Sequence, residues 1–263
     1  MQADVEKVKE TQQSGEEFKG PAIDIQNIFK SFGAQKVLDG LSFQVNRGET
    51  MAVLGRSGMG KSVLLKLIVG LEKPDQGAAL ILGRNMAEIG ADDLNAVRVQ
   101  MGFLFQHAAL YDSLTVAENV GFPLEHHRKE MPESERRDRV EELLKEVGLE
   151  GHGDKMPANI SGGMQKRAGL ARALALNPII LLLDEPTAGL DPISSGEIDE
   201  LVLNLQKEHQ LASIVVTHDM ISAKTIATHI ALLSEGKVAA EGTFEDLQQS
   251  KEAFVAQFLH RDA

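Results

Sequence analysis

With 263 residues, 43% of them hydrophobic and 25% charged, the chain is long enough for one large α/β domain or for a core with a subdomain. Its 27 basic and 39 acidic residues leave a formal charge of −12, and with one Tyr, no Trp and no basic run it makes a poor nucleic-acid binder. The absence of Cys excludes disulfides, thiol catalysis and thiolate metal sites.

The first 20 residues are polar and mixed in charge, without the apolar segment of a secretory signal, and are expected to form a flexible tail. From about Pro21, the spacing of Ile23, Ile25 and Ile28, then of Val37, Leu41, Phe43 and Val45, predicts short strands. Phe32-Gly33 and Asn46-Arg47-Gly48 divide them as turns. Thr50 to Leu54 reads as a compact apolar strand, followed by a glycine-rich loop and by Val63, Leu64, Leu67 and Ile68 at helical spacing. Leu71 to Gly83 reads as loop and strand, punctuated by Pro74 and Gly77.

Residues 107–177 are more charged and are predicted helical. Val140, Leu143, Leu144 and Val147 form an apolar stripe, with Glu141 and Lys145 paired on the other face. Ile179 to Leu183 and Ser213 to Val216 read as buried strands, with Val202 and Leu205 on a helix between them. Such continuous apolar strands imply a parallel sheet covered on both faces. The end of the chain (FEDLQQSKEAFVAQFLH) is predicted helical, with Phe254, Val255 and Phe258 on one side. No run approaches the ~18 apolar residues of a transmembrane helix. The expected division is a tail (1–20), a first core segment with a β subdomain (21–106), a helical subdomain (107–177), a second core segment (178–240) and a helical extension (241–263).

Three motifs carry chemistry. Gly55-Arg56-Ser57-Gly58-Met59-Gly60-Lys61-Ser62 fits the G-x-x-x-x-G-K-S phosphate loop, with a strand before it and a helix after it. Glycines let backbone N–H groups converge on phosphate oxygens, and the helix adds its positive end. Lys61 is expected to reach the β- and γ-phosphates of ATP, and the Ser62 hydroxyl to ligate Mg²⁺. The second motif delivers Asp184 and Glu185 at the end of a buried strand, where open α/β sheets place ligands. Asp184 is the candidate to hold Mg²⁺, directly or through water, and Glu185 the candidate general base. The third is Ser161-Gly162-Gly163-Met164, with Ser161 placed to cap a helix whose amides stay open. Taken alone, that run reads more readily as a capped structural helix.

The ordered set of phosphate loop, Gln106, Ser161-Gly162-Gly163, Leu181 to Glu185, Gly189-Leu190-Asp191-Pro192 and His218 resembles the nucleotide-binding domain of ABC transporters from about Pro21 onward. The resemblance implies a RecA-like P-loop core of the ABC ATPase type, with an antiparallel β subdomain and an inserted helical subdomain. It places Phe32 where an aromatic ring stacks on adenine and Gln106 on Mg²⁺ and the attacking water. It sets Ser161, Gly162, Gly163 and Met164 against nucleotide held by a second subunit, Asp191 in a loop between subunits, and His218 on the γ-phosphate. Arg56 to Val63 would surround the phosphates. A homodimer at the cytoplasmic face of a membrane, serving separate permease subunits, follows.

Two departures narrow the resemblance. Val63 stands where most members have a hydroxyl residue, and Met164 where most have Gln. The pair is similar to that in ATPases of MCE-type lipid transport systems (Mla-like), which implies an MCE-domain lipid-binding protein as a further partner. An importer of amino acids or ions is the alternative, and a non-transport ABC ATPase ranks last. Residues 107–122, with the Val140 face, are expected to form the groove for a permease helix, ordinary packing beneath the subdomain being the other reading.

Overall fold

The computed structural model describes residues 18–56, 58–250, 254–256 and 258. Ser57 and the expected tail up to residue 17 lie outside the described residues. The first sheet is antiparallel and comprises β1 (Ile23–Phe32), β2 (Gln35–Val45), β4 (Gln76–Ile81) and β5 (Arg84–Asn85), in the order β2-β1-β4-β5. β1 carries an irregularity after Ile25, with Asn27 at φ 47°. β4 crosses this bulge so closely that a Cβ on Gly77 would stand 2.2 Å from the Asn27 carbonyl oxygen, so only glycine fits there.

The second sheet contains β3 (Thr50–Leu54), β6 (Met101–Leu104), β7 (Ile180–Asp184), β8 (Ala212–Thr217), β9 (His229–Ser234) and β10 (Lys237–Gly242), in the order β10-β9-β3-β8-β7-β6. The pairs from β9 through β6 are parallel and β10 is antiparallel. β3 and β8 are buried at every position, as strands covered on both faces must be.

Alternation along these strands divides the core. Met51, Val53, Ile180, Leu182, Ile214 and Val216 face the antiparallel sheet together with α1 (Lys61–Ile68). Leu104, Leu181, Leu183 and Val215 face the other way, towards α3 (Val116–His127), α4 (Glu133–Glu146), α5 (Gly162–Leu174) and α6 (Pro192–His209). Ala52, Leu54, Ile230 and Leu232 pack with residues of α7 (Met220–Ile226) and α8 (Phe244–Gln248). At about 1.5–3 kcal/mol for each fully buried aliphatic side chain, this double-faced burial dominates stability. α2 (Ala91–Arg98) reaches β5 through the Arg84–Asp93 pair at 3.1 Å and the end of α1 through Arg98, which donates to the carbonyls of Val69 and Gly70.

Two expectations are corrected. Helix does not begin at residue 107: residues 105–115 form turns and loop, with Ala108 and Ala109 at φ 56° and 47°. Helix starts only after Thr115, whose side chain and Glu118 make a capping box. The C-terminal helix is also not continuous, since α8 ends at Gln248, Ser250 is non-helical and helix is described again from Phe254. Phe254 and Phe258 pack against the chain's own cluster of Ala52, Leu54 and Met220.

Candidate nucleotide site

Parallel strands bring their C-terminal ends to one edge. Leu104 pairs with Leu183, Leu183 with Val215, and Leu54 with Thr217, so four strands finish almost level. The residues that follow them are Phe105 and Gln106, Asp184 and Glu185, His218, and the glycine-rich loop. Stretches more than 100 residues apart in sequence thereby line one cleft of about 370 Å³.

The glycine-rich loop turns from β3 into α1 through Gly60, at φ 92°. A Cβ there would lie 2.8 Å from Leu38 Cδ2 and 2.9 Å from the Val37 oxygen. Gly60 offers no side-chain cap, so the first-turn amides of α1 stay open to the cleft. Lys61 is buried, donates to the Gly55 carbonyl at 2.5 Å, and approaches Glu185 Oε1 at 3.9 Å. Burial pushes its ammonium pKa down, opposed by Glu185 and then Asp184. Ser62, Val63 and Gly58 complete this wall.

On the opposite wall, burial pushes the half-buried Asp184 carboxyl upward. Glu185 adds to the rise, and Lys61 and Lys166 counter it. Glu185 has φ 48°, a left-handed conformation costly for a non-glycine residue. Its N–H donates to Val216 O at 2.8 Å, and its carbonyl accepts from Lys166 Nζ at 3.0 Å. Its carboxylate accepts from Thr217 Oγ1 at 3.2 Å, and His218 Nδ1 lies 2.9 Å from both carboxylate oxygens. Ser62, Gln106 and Asp184 all line this cleft and offer hard oxygen donors, which suit Mg²⁺.

Other predicted residues stand outside this cleft. Phe32 is exposed at the end of β1, with Lys30 Nζ 5.1 Å from its ring centroid. Arg56 and Met59 form a turn, closed by Met59 N donating to Arg56 O at 3.2 Å. Ser161 caps α5, its Oγ accepting from Met164 N at 3.2 Å. Gly162 and Gly163 abut Leu190 and Ser194, next to Asp191, and none of the three lines the phosphate cleft. Asp191 caps α6, and its bonds from Ser194 and Ile193 hold its carboxyl below the usual range.

A second, apolar cleft of about 460 Å³ opens beside Gln106, lined by Phe103, Phe105, Tyr111, Phe122 and Pro123, with Arg172 at its edge. Phe103 and Phe105 stack at 4.2 Å, and Tyr111 and Phe122 tilt together at 4.7 Å. Arg172 donates to the carbonyls of Ala108 and Ala109, fixing the turn after Gln106. The expected contribution of the Val140 face is overturned: Val140, Leu143 and Leu144 are buried in the core beneath α3. A Cβ on Gly121 would meet Val140 Cγ2 at 3.3 Å.

Sequence reasoning missed two buried polar groups. Lys166 is only 4% exposed, and its Nζ donates to Gln106 O at 2.5 Å as well as to Glu185 O. Burial pushes its pKa down to about 8 against the pull of Asp184 and Glu185. Asp199, on α6, accepts from Ser222 Oγ at 2.8 Å, and Ser222 contacts Thr187 of the loop after Glu185. Burial raises the Asp199 pKa to about 6. A lysine inside a helix that also carries alanine and leucine was the available signal for the first; the second had none.

This cradle of amides, lysine and paired acids at the ends of a parallel sheet defines a nucleoside-triphosphate hydrolase of the P-loop class. The chain belongs to the ABC transporter family, whose profile matches residues 38–188, and it is an ATP-binding, ATP-hydrolysing member. It is 42% identical over 237 residues to the intermembrane phospholipid transport system ATP-binding protein MlaF of Haemophilus influenzae, covering 90% of this chain and 89% of that one. It is 41% identical over 241 residues to the probable ribonucleotide transport ATP-binding protein mkl of Mycobacterium leprae, covering 92% and 69%. The dimeric post-hydrolysis structure of the ATP-binding cassette MJ0796, bound to ADP and Pi, superposes with a TM-score of 0.76 at 35% identity, covering 84% of this chain and 98% of that one.

Proposed function

We propose that the chain powers phospholipid transport through a separate membrane permease. In this reading two copies close head to tail around two ATP molecules at the cytoplasmic face of the membrane. Each site takes Lys61, Ser62, Gln106, Glu185 and His218 from one copy, and Ser161, Gly162 and Gly163 from the other. The observation that carries the shared site is that one chain exposes a second open helix N-terminus, at Ser161, outside its own phosphate cleft.

Glu185 orients the attacking water and takes its proton, while His218, 2.9 Å away, steadies that carboxylate and faces the γ-phosphate. Lys61 and the loop amides hold the phosphates in line. Ser62, Gln106 and Asp184 would hold Mg²⁺, which when bound offsets charge on the β- and γ-phosphates. Phe32 offers an exposed face for adenine.

The aromatic groove beside Gln106 is the docking place for a permease helix, because the loop that forms one wall of the phosphate cleft also forms this groove. The lipid assignment is supported by near full-length similarity to MlaF and by the Val63 and Met164 pair. The permease is expected to come with an MCE-domain lipid-binding protein. The test is purification from membranes with mass spectrometry of the bound proteins and lipids. A permease with an MCE-domain protein and phospholipid supports the reading, and a soluble solute-binding protein in their place sinks it. A second reading, ribonucleotide transport, is favoured by the name of the mycobacterial relative, and the same experiment separates it through the co-purifying small molecule.

A further inference from the structure

The signature helix and the hydrolytic glutamate are joined inside one chain by a buried ammonium group. Lys166 lies on α5, five residues after the Ser161 cap, and points inward while Ser161 faces solvent. Its Nζ donates to the carbonyl of Gln106 at 2.5 Å and to the carbonyl of Glu185 at 3.0 Å. The acceptors belong to the loops after β6 and β7, the two strands that deliver the metal-side and water-side groups of the cleft. Bonds from an ammonium to neutral carbonyls are stronger than neutral pairs; an apolar replacement would strip the Gln106 carbonyl of this bond and leave the Glu185 carbonyl with the Ala188 N–H, 3.2 Å away.

The second acceptor is the informative one. Glu185 sits at φ 48°, outside the regions that a glutamate prefers, and such a conformation persists only when its surroundings fix it. Its N–H is tied to Val216, and its carbonyl accepts from Lys166 Nζ at 3.0 Å and from the Ala188 N–H at 3.2 Å. Without the charged donor only the neutral Ala188 N–H holds that carbonyl, so the peptide is freer to relax towards ordinary φ values and the carboxylate to shift from Thr217 and His218.

We propose that Lys166 is a positioning residue that couples the signature helix to the Gln106 and Glu185 backbones. This rests on the shared-site reading above, in which α5 touches the nucleotide held by the partner subunit. Seating of α5 there is passed through a short, rigid pair of bonds to the chain's own general base and its own Gln106. Firing of one site thus depends on occupancy of the other without any residue common to both.

The test is steady-state ATP turnover by the full chain carrying Lys166→Met, Lys166→Gln or Lys166→Arg, with melting temperatures and with Glu185→Gln as a parallel control. Lys166→Met is expected to lower kcat roughly 10- to 100-fold with KM for ATP within about twofold, the mark of lost placement in the transition state rather than lost binding. Lys166→Arg keeps two donors and a charge, and is expected to restore most of the turnover. If Lys166→Met does not fold, Lys166→Gln carries the same expectation to a smaller degree. Unchanged kcat in a folded Lys166→Met or Lys166→Gln protein overturns the proposal. So does an Lys166→Arg protein as inactive as Lys166→Met at the same melting temperature. Glu185→Gln should retain ATP and lose turnover. If it keeps turnover, the assignment of Glu185 as base has failed, an outcome separate from any result at Lys166.

Discussion

The chain carries two helix N-termini suited to anions, and they are built differently. α1 begins at a glycine without a side-chain cap and is enclosed by the ends of four strands, with Lys61 buried beside Asp184 and Glu185. α5 begins at a serine that already satisfies one amide and lies outside that cleft, against the loop at Leu190 and Asp191. A polyphosphate needs several donors and a water-excluding wall, and only the first end has both within one chain. In the proposed dimer, the second becomes useful when another copy brings phosphate to it.

Four experiments break or sharpen that contrast. The largest effect is expected at the first end: Glu185→Gln should reduce kcat by about 10²–10⁴-fold while leaving ATP binding intact, as measured by single-turnover assay and equilibrium binding. The second addresses the second end directly. A dimer of one Lys61→Ala chain with one Ser161→Arg chain keeps one complete site if sites are shared, and should retain up to about half the activity, reduced by whatever the broken site no longer supplies through α5 and Lys166. Placing both changes on one chain beside a wild-type chain should leave on the order of 1%. Equal activities in the two arrangements would reject the shared site, and the reverse order would show that each chain works alone.

Gly60→Ala comes third. The left-handed backbone and the 2.8 Å approach to Leu38 should cost about 1–3 kcal/mol and weaken nucleotide binding roughly tenfold, as followed by titration calorimetry. Gly162→Ala, where the nearest atom would be 3.4 Å away, should cost much less in stability.

The smallest effect concerns the loop behind the second end. Asp199 is 3% exposed, and burial raises its pKa from 3.8 to about 6. The folded state therefore holds the proton more tightly than the unfolded one. Its stability contribution is fully present below pH 3.8 and is lost as pH rises through about 6. Asp199→Asn mimics the protonated form, so the variant should be more stable at pH 7.5 by ~1–2 kcal/mol, with the gap closing near pH 4 in thermal melts. A gap that widens on acidification would reverse the assignment.

How far the site could be read in advance differed by residue. Lys61, Ser62, Asp184 and Glu185 stand in short runs whose spacing is itself the chemistry, so a strand, a glycine turn and a helix start were enough to locate them. The Val140 stripe showed correctly that a helix has an apolar face. It did not tell which neighbour covers that face, and α3 does. The predicted helix at residue 107 failed because Arg172 holds Ala108 and Ala109, 64 and 63 residues before it in sequence, in a turn that no local preference favours. Lys166 carried no signal of its own in the sequence beyond its helical setting, since a lysine on a helix is ordinarily solvated.

By itself the sequence determined the phosphate loop, the acidic strand end, the alternation of buried strands and the family to which they point. Each of these is written in residues adjacent along the chain, where backbone freedom and side-chain period act directly. The tertiary structure alone decided that Gln106, Glu185 and His218 share one edge with the loop, that Ser161 does not, and that Lys166 joins the two regions. Those facts depend on parallel strand register and on which surfaces exclude water, and both are properties of packed elements rather than of any segment.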